Sequence, residues 1–136
     1  HAVGGGDTAP QPVELLLSAL TGCKTATAHF VSRQMRPRIR LSRIDFDISA
    51  ERDEKGALQL PIGTPFDSYA PSRLQRIWGT ATVHLEAGTK SELSQETISL
   101  LEREVERRCP IANMVTSSGC ALDIRWVAAQ PSKRTQ

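Results

Sequence analysis

The sequence predicts an α+β fold in which long helices pack against antiparallel sheets. Two observations predict it. Apolar residues recur with helical spacing in two long segments, and they alternate with polar residues in three shorter ones. The resulting order is helix, strand, strand, helix, strand. Because no helix separates the first two strands, we expect them to pair antiparallel.

The first predicted helix runs from Val13 to about Met35. Pro12 suits a first helical position, where the missing N–H is not needed. Glu14 suits the positive end of the helix dipole, and this capping role is favoured over a catalytic one. Pro37 ends the helix because it disfavours helical geometry at the preceding residue. The first half is apolar nearly all round, so we expect it to be buried on most sides.

The three predicted strands each carry apolar residues at every second position. The residues expected on their inner faces are Ile44, Phe46 and Ile48, then Ile77, Gly79, Ala81, Val83 and Leu85, and finally Leu122, Ile124 and Trp126. The stretch Leu60–Pro71 holds three prolines and a glycine and predicts an irregular loop. Three strands leave exposed sheet edges. We therefore expect a homodimer and further strands preceding His1.

The second predicted helix opens with a capping-box pattern at Thr89–Glu92. Ile98, Leu101 and Val105 form its apolar face. The residues expected to face water are Glu102, Arg103, Glu106 and Arg107.

Length and composition indicate one domain over residues 1–136, with a flexible glycine-rich connector at 1–9 and a polar tail at 130–136. Hydrophobic residues make up 39% and charged residues 24%, which is typical of a globular protein. No segment approaches the roughly 18 apolar residues of a membrane span, so we expect no membrane partner. An odd count of three cysteines and no secretion signal favour the cytoplasm.

Other binding classes have little support. The net charge is +2, and no aromatic residues accompany the arginines as single-strand binding prefers. We expect no nucleic-acid partner. Gly22-Cys23-Lys24-Thr25 lacks the glycine spacing of a phosphate-binding loop. With no HExxH and no paired CxxC, we expect neither metal nor cofactor. The clustered arginines are Arg36, Arg38, Arg40, Arg43, Arg103, Arg107 and Arg108.

The cysteines are the candidate reactive residues. Helical geometry puts Cys23 about 20° from Leu16 and about 60° from Leu20, on a shared face. Cys109, if helical, lies about 20° from Ile98. Both thiols would then point to where helices pack, as a redox pair or as ordinary buried cysteines. Cys120 is interpreted as a small turn or strand residue, and a Cys–His nucleophile is the less favoured alternative.

Two segments carry a family resemblance. Gly4-Gly5-Gly6-Asp7-Thr8-Ala9-Pro10-Gln11-Pro12-Val13-Glu14-Leu15-Leu16-Leu17, followed by Ala19-Leu20-Thr21-Gly22-Cys23, resembles the central helix of the OsmC/Ohr superfamily. Arg107-Arg108-Cys109-Pro110-Ile111-Ala112-Asn113 resembles its second cysteine motif. The resemblance implies an OsmC-like fold and an intertwined homodimer with active sites at the subunit interface.

The same resemblance implies a thiol-dependent peroxidase that reduces organic hydroperoxides in oxidative-stress defence. Cys23 would be the peroxidatic thiolate, and Cys109 would resolve its sulfenic acid as a disulfide that a cellular dithiol then reduces. Family peroxidases carry a glutamate directly after the helix-opening proline and an arginine from N-terminal strands. Here Val13 occupies the glutamate position. Glu14, with Arg76 or Arg73, is the candidate activating group.

That departure supports an alternative. A non-catalytic dimer of the same fold would bind a small apolar ligand at the subunit interface.

Overall fold

The computed structural model describes residues 8–53, 56–63, 72–89 and 93–130. Their elements are α1 (Pro12–Gln34), β1 (Leu41–Arg52), β2 (Leu74–Leu85), α2 (Gln95–Arg108), α3 (Pro110–Ser117) and β3 (Ala121–Ala128). The predicted order is therefore correct, with α3 added after the second helix. Most of the predicted connector, loop and tail (residues 1–7, 64–71 and 131–136) lies outside the described residues.

Helix α1 begins as its sequence predicts. Pro12 is the first helical residue and Gln11 is the N-cap. The Gln11 amide donates to Glu14 Oε2 at 2.9 Å, so Glu14 satisfies a backbone donor that has no partner inside the helix. At the other end Met35 is the C-cap, with an extended backbone two residues before Pro37.

The sheet corrects the antiparallel expectation in part. Its order among the described strands is β1-β2-β3. Strands β1 and β2 pair antiparallel, as predicted, whereas β2 and β3 pair parallel. The physical reason is the connection: α2 and α3 lie between β2 and β3 in the chain and return it to the same end of the sheet, which is how parallel neighbours are joined. The sheet is mixed.

The predicted inner faces of the strands are confirmed. Ile77, Ala81 and Val83 of β2 are at most 1% exposed, and Ile124 and Trp126 of β3 are also buried. Except for Ile77, which belongs to a second buried cluster, they form the main core together with α1 and α2. Its buried members are Ala28, Val31, Met35, Ile39, Leu41, Ile44, Ala81, Val83, Ile98, Leu101, Val105, Ile124 and Trp126.

The start of α2 differs from the prediction. The helix begins at Gln95, and its N-cap is Ser94, whose hydroxyl accepts from the Thr97 amide at 3.1 Å. Thr89 instead donates to the Glu86 carbonyl in a turn. The remaining three positions of the predicted capping box, residues 90–92, lie outside the described residues. Ser94, five residues after Thr89, is equally a residue type favoured at an N-cap, and it is the one that caps the helix.

The first half of α1 is not buried on most sides of the single chain. Leu15 is 55% exposed and Leu16 is 40% exposed. The buried stripe of α1 consists of Leu20, Lys24, Ala28, Val31 and Ser32. The predicted face shared by Leu16 and Leu20 is therefore wrong, since only Leu20 contacts the interior. Among the described helices, none has the length and apolarity needed to cross a bilayer.

Candidate thiol site

A second buried cluster, here called the thiol cluster, lies beside the main core. Its fully buried members are Leu20, Ile77, Cys109, Ala112, Val115 and Cys120. Cys23 is half-buried and packs against this cluster. The fold thus gathers the three cysteines of the sequence, from α1, from the α2–α3 junction and from the start of β3.

Cys109 lies between two helices rather than inside one. It is the C-cap of α2 and the N-cap of α3, with an extended backbone at φ −77° and ψ 111°. Its Sγ accepts a hydrogen bond from the Ala112 amide at 3.4 Å. Pro110 opens α3, where its missing N–H is not needed. The predicted position of Cys109 below Ile98 is therefore wrong, because α2 ends at Arg108 and the thiol turns into the thiol cluster.

The structure places the Cys109 and Cys23 side chains together in the thiol cluster. Burial raises the pKa of the Cys109 thiol; the Ala112 amide opposes this rise, and the neighbouring Cys23 thiol adds to it. Cys109 is 0% exposed, so the desolvation cost of its thiolate prevails. At neutral pH Cys109 is therefore a protonated thiol. Both residues are free cysteines rather than a disulfide.

Lys24 is the site residue that the sequence interpretation missed. It is 0% exposed, and its ammonium forms an ion pair with Glu106 of α2. Glu102 and Glu106 were expected to face water, but both are partly buried: Glu106 pairs with Lys24, and the Lys24 charge also acts on Glu102. Burial and the neighbouring Glu106 charge raise the pKa of Glu102, and Lys24 opposes the rise. The sequence did contain a signal for this burial. Lys24 is four residues from both Leu20 and Ala28, so it lies on the same helix face as these apolar residues.

Lys24 also acts on the thiol cluster. Its positive charge opposes the rise in the pKa of Cys109. Lys24 follows Cys23 directly in α1, and Glu106 precedes Cys109 by three residues in α2. The Lys24–Glu106 ion pair and the Cys23–Cys109 thiol pair therefore connect the same two segments, one in the middle of α1 and one at the end of α2.

Cys120 occupies the position before β3 that the sequence suggested, as a buried residue. Burial raises the pKa of its thiol, while the Arg73 guanidinium and the Ile77 amide oppose the rise. No local pattern indicated that Cys120 and Cys109 pack in one cluster, because their proximity depends on how α3 folds back.

The candidate activating groups lie apart from the thiol pair within one chain. Glu14 is exposed at the start of α1, nine residues and so about 13 Å along the helix from Cys23. Arg76 is exposed; it pairs with Asp123 at 3.2 Å and lies 5.1 Å above the Trp78 ring. Since side chains alternate along a strand and Ile77 enters the thiol cluster, Arg76 is on the opposite face of the sheet.

Two further features lie outside this cluster. A groove of about 400 Å³ runs between the C-terminal halves of α1 and α2. It is lined by Phe30, Val31, Gln34, Met35, Glu104 and Arg108. Within the described ranges, no group of three or more His, Cys, Asp or Glu side chains is arranged to hold a metal ion.

Comparison with known proteins identifies relatives of this chain. Residues 4–125 match the profile of the family described as OsmC-like protein. An OsmC-like protein from Mycoplasma pneumoniae superposes with a TM-score of 0.66 at 22% identity, covering 93% of this chain and 79% of that one. No curated protein sequence matches this chain significantly.

Two further similar structures carry names that refer to organic hydroperoxide resistance. One, from Legionella pneumophila, has a TM-score of 0.59 and 16% identity, covering 94% of this chain and 75% of that one. The other, from Vibrio cholerae, holds captopril in one of its active sites; its TM-score is 0.62 at 17% identity, covering 90% of this chain and 69% of that one. At these identities the likeness concerns the fold.

Proposed function

The chain belongs to the OsmC-like protein family, and from that premise we propose that it is a thiol-dependent peroxidase that reduces organic hydroperoxides. One observation carries this proposal: Cys23 and Cys109, 86 positions apart in sequence, are both free thiols and lie close enough together that the Cys23 thiol raises the pKa of Cys109. Contact between two reduced thiols is what a reversible disulfide requires.

The exposure of the two thiols supports different roles for them. Cys23 is half-buried, so a peroxide can approach its sulfur, whereas Cys109 is 0% exposed. A peroxidatic cysteine must meet the substrate. A resolving cysteine must meet only its partner sulfur. Cys23 is accordingly the proposed nucleophile and Cys109 the resolving thiol.

The proposed reaction has two steps on the cysteine pair, followed by reduction of the disulfide by an external dithiol. The Cys23 thiolate attacks the terminal peroxide oxygen, the O–O bond breaks, and the alkoxide leaves and takes a proton to become an alcohol. Cys109 then attacks the Cys23 sulfenic sulfur; the disulfide forms, and the hydroxyl leaves with the Cys109 proton as water. A cellular dithiol reduces the disulfide and is itself oxidised.

A homodimer is the proposed assembly. Large apolar side chains on α1 and α3 have no cover in the single chain: Leu15 is 55%, Phe30 51% and Met114 71% exposed. Large apolar side chains left exposed in this number support an interface that covers them. The proposed compartment is the cytoplasm, where the thiols stay reduced between turnovers.

The test is turnover of an organic hydroperoxide with a small dithiol as reductant. The Cys23→Ser variant is expected to lose activity, whereas Cys120→Ser, a matched change of a buried cysteine outside the pair, is expected to retain most of it. Unchanged turnover in Cys23→Ser would refute the proposal.

The second candidate function is non-catalytic binding of a small apolar ligand at the subunit interface. It is favoured by the exposed apolar residues and by the distance of Glu14 from Cys23. Saturable binding of an apolar probe that persists in Cys23→Ser, with no peroxide turnover by the unmodified chain, would support it over the peroxidase.

A further inference from the structure

The feature that the peroxidase proposal leaves unused is the buried ammonium of Lys24. It is wholly inaccessible to solvent and lies in the buried stripe of α1, between Leu20 and Ala28. A lysine is almost never fully buried unless it is paired. Replacing a buried ion pair by apolar residues is often neutral or stabilising, so packing alone gives no reason for a charge here.

The ion pair is asymmetric in its exposure. Glu106 is 33% exposed at its side chain, whereas Lys24 is 0% exposed. Solvent therefore screens part of the carboxylate charge but none of the ammonium charge. The Lys24 charge also acts on Glu102, whose pKa is raised by burial. Part of the positive charge of Lys24 is therefore left uncompensated by its partner, and it acts on Cys109 as well.

The surroundings of Cys109 supply few other charges. From α1 it faces Cys23 and Lys24, and from α3 it receives the Ala112 amide. On α2 the Glu106 carboxylate pairs with Lys24, and the Lys24 charge also acts on Glu102. Glu104 pairs with Arg108 on the same helix, and Glu96, Arg103 and Arg107 are exposed. On the β2–β3 side the titratable groups are Cys120 and its neighbour Arg73. Among these groups, Lys24 is the cation whose charge acts on Cys109.

From this arrangement we infer that Lys24 is an electrostatic positioning residue for the resolving thiol, and that Glu106 limits the strength of its effect. The role rests on the proposed function. Before Cys109 can attack the Cys23 sulfenic sulfur its thiol must give up its proton, and the resulting negative charge lies on a wholly buried sulfur until the S–S bond forms. The Lys24 ammonium stabilises that charge without moving, because the ion pair already fixes its position.

The two members of the ion pair should therefore have opposite effects on Cys109. Removing the ammonium removes the stabilising charge. Removing the Glu106 charge leaves the ammonium in place and takes away the negative charge that partly cancels its effect on Cys109. A purely structural pair predicts otherwise, since losing either partner would loosen the same packing.

The experiment titrates Cys109 alone, by thiolate ultraviolet absorbance in the full chain carrying Cys23→Ser and Cys120→Ser. In this background Lys24→Met is expected to move the midpoint up by about one pH unit, a tenfold loss of thiolate at a given pH. Lys24→Arg is expected to keep the original midpoint. Glu106→Gln is expected to move it down.

The outcome that overturns the inference is a Glu106→Gln midpoint that rises or stays fixed. This variant decides the matter even if Lys24→Met does not fold, because it keeps the lysine and a second carboxylate at Glu102. Thermal unfolding of each variant reports its folding separately.

The titration contains no peroxide, so its failure differs from failure of the peroxidase. Opposite midpoint shifts with no hydroperoxide turnover would refute only the proposed enzyme. Turnover with an unmoved midpoint would refute only the role of Lys24.

Discussion

The thiol of Cys109, wholly buried at the junction of α2 and α3, lies beside the half-buried Cys23 of α1, whose thiol helps to raise its pKa. Burial raises the pKa of Cys109 and keeps it protonated at neutral pH. One accessible and one protected thiol are therefore held together, which has consequences that can be measured.

Removing the protected thiol should trap the first oxidised state. In Cys109→Ser, Cys23 is expected to react once with a hydroperoxide and then to remain as a sulfenic acid, because no thiol is left to expel its hydroxyl. Mass spectrometry after treatment with dimedone checks this. Excess peroxide should then add a second oxygen irreversibly. Continued multiple turnover in Cys109→Ser would contradict the assignment of Cys109.

The thiol cluster should depend on the packing of Leu20. This side chain is 0% exposed, so Leu20→Ala is expected to lower the free energy of unfolding by about 2–5 kcal/mol. Leu60→Ala is the matched control, because Leu60 is 75% exposed and the same truncation should cost less than about 0.5 kcal/mol. Denaturant unfolding measures both. Equal effects would contradict the burial described for α1.

Glu102 should oppose folding at neutral pH. Its pKa is raised from 4.5 in the folded chain, so its contribution to stability is present below about pH 4.5 and is lost as the pH rises through the folded value. At pH 7 the free energy of unfolding of Glu102→Gln is therefore expected to exceed that of the unmodified chain by up to about 1 kcal/mol. The difference should shrink towards zero on acidification.

The control for this prediction is Glu96→Gln on the same helix. Glu96 lies in the first turn of α2, where a negative charge favours the helix dipole. Its neutralisation should lower stability by about 0.3–1 kcal/mol, the opposite sign. Urea unfolding at several pH values compares the two. A stabilising Glu96→Gln or a destabilising Glu102→Gln at neutral pH would be inconsistent with these environments.

The exposed apolar residues of α1 should belong to a subunit interface. Phe30→Glu introduces a charge at a side chain that is 51% exposed in the single chain, so folding should survive. If the homodimer covers this position, the charge would be buried and the dimer weakened. Sedimentation velocity should then show a dimer for the unmodified chain and a monomer for the variant. Two folded monomers would argue against this interface.

The local elements were accessible from sequence because their signals are local. Pro12 fixed the start of α1, and alternation along β2 identified Ile77, Ala81 and Val83 as inward-facing. One error arose where a local signal was degenerate. Thr89 and Ser94 both satisfy the rule for an N-cap, so the start of α2 was placed too early.

The sequence by itself determined the two long helices, the three strands with their inner faces and the two cysteine motifs, because helix and strand periods are properties of neighbouring residues. Only the tertiary structure decided that β3 pairs parallel to β2, that Cys109 meets Cys23, and that Lys24 is buried against Glu106. These contacts join residues more than 40 positions apart. Their energies depend on desolvation and on the direction in which each chain segment returns, neither of which is encoded in local periodicity.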